Sequence, residues 1–208
     1  MKTMNCSSFL EETFPDIHIE KPLFYHAPNG IRFQLGDTDQ AWDQEYMSRV
    51  YKRAIALFEA LHSSRDHVML IIHLNRAEKP HNMKKALHTL KRFLRKKSIG
   101  HSTEIMIDKQ QDQERKSLRL LVTCQLADMK HESLLKAIAN RDLQIRPFIE
   151  GDCYFINLEK KTIYHLYDDR KLDIVSNNEQ SLDPLYKNYQ DWILDYDTRS
   201  QYDRKCCL

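Results

Sequence analysis

Glycine is scarce in this chain: only Gly30, Gly36, Gly100 and Gly151 occur among 208 residues, and each stands alone. Loops that cradle phosphate need clustered glycines so that backbone amides can face the anion, so a P-loop and a dinucleotide fingerprint are both excluded. A glycine-flanked nucleophilic serine is missing as well, which removes the hydrolase elbow. The five cysteines, Cys6, Cys124, Cys153, Cys206 and Cys207, form no C-x-x-C pair and no regular framework. That pattern argues against structural zinc and disulfide stapling and fits a reducing compartment. No window has the length and apolarity of a membrane span, and no apolar run precedes Cys6. The expectation is a cytoplasmic protein with no membrane attachment. Lys205 occupies the fourth position from the end, where a prenylation box needs cysteine, so the tail is expected to be unmodified. Charge of one sign is also lacking: 32 basic residues face 30 acidic ones. Any nucleic-acid signal must therefore be local.

A 41% hydrophobic content in a chain of this length is enough for a sizeable core, and a single domain is expected over residues 1 to 208. Residues 1 to 22 read as an N-terminal lead-in segment and 200 to 208 as a flexible tail. From Leu23 to Gly36, a Pro-Asn-Gly turn signal precedes Ile31, Phe33 and Leu35 on one side of a strand, with Arg32 and Gln34 opposite. Leu23 to His26 is the expected hairpin partner of that strand. Asp37, Thr38 and Asp39 offer acceptors for a helix start, and Trp42, Tyr46, Val50, Ala54, Leu57, Phe58 and Leu61 then recur at helical spacing. His67 to Leu74 is a continuous apolar run of strand length, which predicts a strand covered on both faces near the centre of a sheet. Met83, Ala86, Leu87, Leu90 and Leu94 form a helical stripe that stops at Gly100.

Thr103 to Asp108 and Ser117 to Gln125 read as a hairpin around a solvated loop, and Asp128 to Arg141 as a helix. Cys153 to Leu158, Thr162 to Tyr167 and Leu172 to Val175 then form a three-strand meander. A last helix begins near Asp183-Pro184 and would bury Leu185, Tyr189, Trp192 and Ile193. Strands followed directly by strands, with too few crossovers for a doubly wound sheet, predict an α+β fold whose mixed sheet is largely antiparallel.

The carboxylates of the last third carry the candidate chemistry. Asp168 and Asp169 with Arg170, then Asp173, Asp195 and Asp197, offer hard oxygen ligands of the kind magnesium accepts. The same Asp-Asp-Arg is ordinary turn chemistry at a strand end, and that reading is favoured. An EF-hand at Asp37-x-Asp39 lacks its glycine and closing glutamate. His131-Glu132 begins a zincin pattern but Leu135 stands where the second histidine must be. His73 and His165 read as satisfied strand histidines, Cys124 and Cys153 as small buried hydrophobes, and Trp42 and Trp192 as core anchors. Residues 79 to 97 carry eight basic and no acidic residues, so Lys84, Lys91, Arg92 and Arg95 mark a face able to meet phosphate. Only Phe93 interleaves with them, which does not support a base-stacking platform.

Gly30 to Gly36 (GIRFQLG), Tyr164 to Arg170 (YHLYDDR), Asp173-Ile174, Leu185-Tyr186 and Trp192 to Asp197 (WILDYD) together resemble a bacterial family common in spore-forming Gram-positive species and known as a domain of unknown function. The resemblance runs from about Leu23 onward. It departs at Lys171 and Gln34, where glycine and glutamate are expected, and at Thr198, which stands between Asp197 and Arg199. The family implies a compact cytosolic bacterial protein and no reaction.

The leading expectation is a non-enzymatic, protein-binding factor of immunity or regulatory type, its surface formed by Tyr167, Asp168, Asp169, Arg170, Trp192, Asp195 and Asp197. The alternatives are a metal-dependent phosphoester hydrolase using the C-terminal aspartates, and nucleic-acid binding through the basic helix over 82–97. No catalytic residue, resident metal or cofactor is assigned, and the expected partner is another protein.

Overall fold

The computed structural model describes residues 6–15, 17, 19, 23–37, 41–74, 80–95, 101–110 and 113–193. Thr38, Asp39, Lys79, Lys96, Lys97, Gly100, Asp195, Asp197 and the tail over 200–208 lie outside the described residues.

The apolar run His67–Leu74 forms strand β2, which lies between two other strands of the sheet. Its side chains alternate between two buried layers: Val68, Leu70, Ile72 and Leu74 enter one hydrophobic cluster, Met69 and Ile71 the other. Burial of both faces explains why the run shows no polar alternation.

Around it are β1 (Asn29–Gln34), β3 (His101–Gln110), β4 (Gln113–Gln125), β5 (Asp152–Asn157), β6 (Thr162–Leu166) and β7 (Lys171–Ser176). They build a seven-stranded sheet in the order β1-β7-β6-β5-β2-β4-β3. Every pairing is antiparallel, so the α+β expectation is met with the sheet entirely of one kind. The β5-β6-β7 meander forms as its turn signals predict.

Helices α2 (Gln44–Leu61), α3 (Pro80–Lys91), α4 (His131–Ala139) and α5 (Asp183–Asn188) contribute to the larger layer. Tyr46, Val50, Ala54, Leu57, Phe58 and Leu61 from α2 and Leu134, Leu135 and Ile138 from α4 meet Phe155, Tyr164 and Ile174 there. On the opposite side, Leu10 of α1 (Cys6–Thr13) joins Phe14, Ile17, Ile19 and Leu23 over Tyr154, Ile156, Ile163 and Val175. The lead-in segment thus supplies the second layer that a sheet buried on both faces requires.

Four local expectations are corrected. Leu23–His26 is a 3-10 turn, and β1 pairs with β7 instead, from Asn29↔Ser176 to Gln34↔Lys171. The Phe24 amide donates to the Asp173 carboxylate at 3.0 Å rather than to the carbonyl of a neighbouring strand. Helix α2 starts later than expected because Asp43 is its N-cap, its carboxylate accepting from the Tyr46 amide at 2.7 Å. Trp42 therefore precedes the helix and is 54% exposed rather than a core anchor.

The polar stretch expected as a loop between β3 and β4 continues their ladder to Gln110↔Gln113. Backbone pairing uses main-chain amides and carbonyls and does not depend on apolar side chains. Finally, α5 ends at Asn188, because Tyr189 leaves helical geometry at φ −128° and ψ 28°. A 3-10 turn over Gln190–Trp192 follows, and Ile193 bridges to Phe33 beside β1. Leu185 and Ile193 are buried as expected, while Tyr189 and Trp192 are only partly so.

Candidate functional site

The corner between β6 and β7 is held by its own aspartates. One carboxylate oxygen of Asp168 accepts the backbone amides of Arg170 and Lys171, both at 2.9 Å. The other oxygen accepts the Arg170 guanidinium at 2.8 and 3.2 Å. This is an aspartate closing its own turn. The Asp168 charge raises the pKa of Arg170. Asp169 accepts a 2.6 Å hydrogen bond from the buried Tyr46 hydroxyl of α2. Burial, reinforced by that carboxylate, raises the Tyr46 phenol well above its usual range. The Arg170 carbonyl accepts the Leu35 amide at 2.7 Å, tying the corner to the end of β1. Next in the chain, Gly36 lies so close to Tyr46 that a Cβ there would overlap the phenol ring.

One strand inward, Asp173 is fully buried and grips Arg32 of β1 through two hydrogen bonds, Nε to Oδ1 at 2.7 Å and Nη2 to Oδ2 at 3.0 Å. Oδ2 also accepts the Phe24 amide at 3.0 Å. Burial alone would lower the Arg32 pKa, but Asp173 together with Tyr167 and Tyr25 outweighs it and the net shift is upward. The guanidinium carbon sits 4.8 Å from the Tyr25 ring centre, 5.0 Å from Phe24 and 6.0 Å from Tyr167. Tyr25 is 60% exposed, so a fixed cation underlies an aromatic ring that faces solvent. His165 continues the row, 5.1 Å from Tyr167 and stacked on Tyr154 at 4.0 Å. From α4's end, Arg141 donates to the carbonyls of Gly151 and Tyr167, both at 2.6 Å, and to Asp152 at 3.0 Å. It clamps the start of β5 to the end of β6.

Tyr167, Asp168, Asp169 and Arg170 therefore do meet at one corner. Asp168 and Asp169 are buried there, and Arg170 is exposed. Trp192 belongs to the helix layer, tilted against Tyr189 at 4.8 Å and facing the Arg53 guanidinium at 5.3 Å. Arg53 donates to the Gln34 carbonyl at 3.0 Å, so Trp192 braces β1 from the side opposite Arg32. Asp195 and Asp197 lie outside the described residues. Lys84, Lys91, Arg92 and Arg95 are all exposed, on or just beyond α3, while Ala86, Leu90 and Phe93 are buried.

Tyr25 and Arg32 were not singled out from sequence. The one available signal was the opposite charge of Arg32 and Asp173, each within an apolar strand pattern.

These features define a class first: an α+β protein with an antiparallel sheet whose strand corner uses its carboxylates for folding and presents aromatic rings. The chain belongs to the family described as Domain of unknown function (DUF3885), whose model matches residues 6–197. It is similar to a Bacillus subtilis (strain 168) protein named uncharacterized protein YnaE, with 26% identity over 214 residues, covering 93% of this chain and 99% of the relative. No solved structure matches the chain. No helix among the described residues is long and apolar enough to cross a membrane.

Proposed function

We propose that the chain is a non-enzymatic, cytoplasmic protein-binding factor of immunity or regulatory type that recognises its partner through Tyr25, Tyr167 and Arg170. The observation that carries this reading is Tyr25: 60% exposed, yet its ring lies over a guanidinium locked by Asp173. A large side chain held in place before binding loses little freedom on association, and fixed aromatics and arginines are the residue types that dominate interface energetics. Asp168 and Asp169 support the surface from below. The hydrolase alternative has less to stand on, since Asp168, Asp169 and Asp173 already serve Arg170, Tyr46 and Arg32.

The experiment is affinity capture from host lysate, with and without nuclease. A single protein recovered in both arms, in stoichiometric amount, supports the reading. Recovery abolished by nuclease would replace it with nucleic-acid binding through Lys84, Lys91, Arg92 and Arg95, a reading favoured by the exposure of all four beside a buried Ala86-Leu90-Phe93 stripe. That alternative predicts steep salt dependence and loss on charge reversal at Lys91 and Arg92.

A further inference from the structure

Away from the strand corner, where α2 packs on α4, the chain brings a nitrogen and two oxygen donors together. Glu59 lies in the last turn of α2, and His131 and Glu132 open α4. One donor atom from each falls within 4.8 Å of the others, and His131 Nε2 is 3.1 Å from a Glu59 carboxylate oxygen. We infer that Glu59, His131 and Glu132 form a binding site for a divalent transition-metal cation of the zinc class.

The spacing suits that chemistry. Zinc binds imidazole nitrogen and carboxylate oxygen at about 2.0–2.2 Å, so neighbouring ligands stand about 2.8–3.1 Å apart in an octahedral arrangement and about 3.3–3.6 Å in a tetrahedral one. The Nε2 to Glu59 separation already falls in the first of those ranges. The imidazole selects a borderline metal such as zinc, cobalt or nickel over magnesium, which prefers an all-oxygen shell.

The ring is also positioned: His131 lies nearly parallel to Phe58, 17° between planes and 5.5 Å between centres, and Phe58 is Glu59's neighbour in a buried part of α2. A hydrogen bond to Glu59 accounts for part of this arrangement but not for Glu132. Among the described residues Glu132 forms no ion pair, and its carboxylate approaches Glu59 at the N-terminus of α4. A dication neutralises the two carboxylates together. The side chains of His131 and Glu59 are 23% and 53% exposed, so an ion can enter and water can complete its shell.

The site escaped the sequence reading because His131-Glu132 was weighed against a second histidine one turn on. The third donor comes instead from 72 residues away.

The test is calorimetric titration of the full, chelator-treated chain with zinc alone. Expected is one equivalent bound in the micromolar range at neutral pH. His131→Ala should weaken it by about a hundredfold or more, since it deletes a direct ligand, and Glu59→Gln by about tenfold, since it leaves a neutral oxygen in place of a carboxylate. Because Cys206-Cys207 offers thiolates, C206S/C207S is titrated in parallel and should bind as the unaltered chain does. His67→Ala, which touches a His-Glu pair with no third donor among the described residues, should also be silent. Thermal melts of each variant separate ligand loss from unfolding. Absence of binding at millimolar zinc, binding unchanged in folded E59Q and H131A, or binding lost in C206S/C207S would each overturn the assignment.

Discussion

Replacing Arg32 with methionine keeps a flexible side chain of similar reach beneath Tyr25 and removes the charge. Asp173 is fully buried, and in the unaltered protein its Oδ1 accepts Arg32 Nε while its Oδ2 accepts both Arg32 Nη2 and the Phe24 amide. In R32M only the Phe24 amide remains among those three donors, so a buried carboxylate loses its compensating charge. Breaking a buried pair from one side costs about 3–5 kcal/mol, whereas removing both charges together is frequently close to neutral. R32M should therefore lower the melting temperature by roughly 10 °C in a domain of this size. The double variant R32M/D173N should recover much of that loss, with a coupling energy of about 2 kcal/mol or more.

The assay is urea denaturation followed by circular dichroism for R32M, D173N and the double variant, with unchanged m-values as the sign that the native and unfolded ensembles are comparable. The buried pair should be little affected by salt, unlike an exposed one. Strict additivity of the two single variants would refute the reasoning, because it would mean that Arg32 and Asp173 do not depend on each other.

Two more predictions follow from buried groups. His62 is 7% exposed, stacks on Phe58 at 4.0 Å and has one ring nitrogen 2.8 Å from the Phe58 carbonyl, while Nε2 has no hydrogen-bond partner among the described residues. Burial pushes its pKa down to about 4. The unfolded chain, with a histidine pKa near 6.5, takes up a proton that the folded chain refuses, so this contribution is complete above about pH 6.5 and lost as pH falls towards 4. By about pH 4.5 the loss reaches about 2–3 kcal/mol, and His62→Phe should flatten the stability profile by that amount across this window. Equal slopes for the two proteins in denaturant melts would contradict it. Gly36→Ala, by contrast, drives a methyl into the Tyr46 phenol and displaces its hydrogen bond to Asp169. An expected cost of about 2–4 kcal/mol is measurable by the same melts, and a change under about 0.5 kcal/mol would show that Tyr46 is not fixed as described.

What was legible in the sequence was local. The apolar run His67–Leu74, the stripe from Tyr46 to Leu61 and the turns of the β5-β6-β7 meander carry their periodicity within a few residues, and all form as read. The Asp168-Asp169-Arg170 turn was legible for the same reason. What was not legible depends on contacts between distant segments: Tyr46 meets Asp169 across 123 residues and Arg32 meets Asp173 across 141. The pairing of β1 with β7 decides both that Leu23–His26 need not be a strand and that a strand arginine turns inward to a carboxylate. Trp42 was misplaced by a shorter-range competition, since Asp43 caps α2 and leaves the tryptophan outside it.

The central claim is that the strand corner is built for recognition, with Tyr25 and Arg170 displayed over carboxylates committed to folding. It is tested most directly by calorimetric titration of the protein captured from host lysate against the unaltered chain and Tyr25→Ala. Tyr25 lies outside the core, so the variant should stay folded and lose no more than about 1 kcal/mol of stability, the worth of an exposed cation–π contact. Its affinity should fall about thirtyfold or more, the loss expected when an aromatic anchor worth about 2 kcal/mol is truncated. A folded Tyr25→Ala that binds the captured protein as tightly as the unaltered chain would contradict the account.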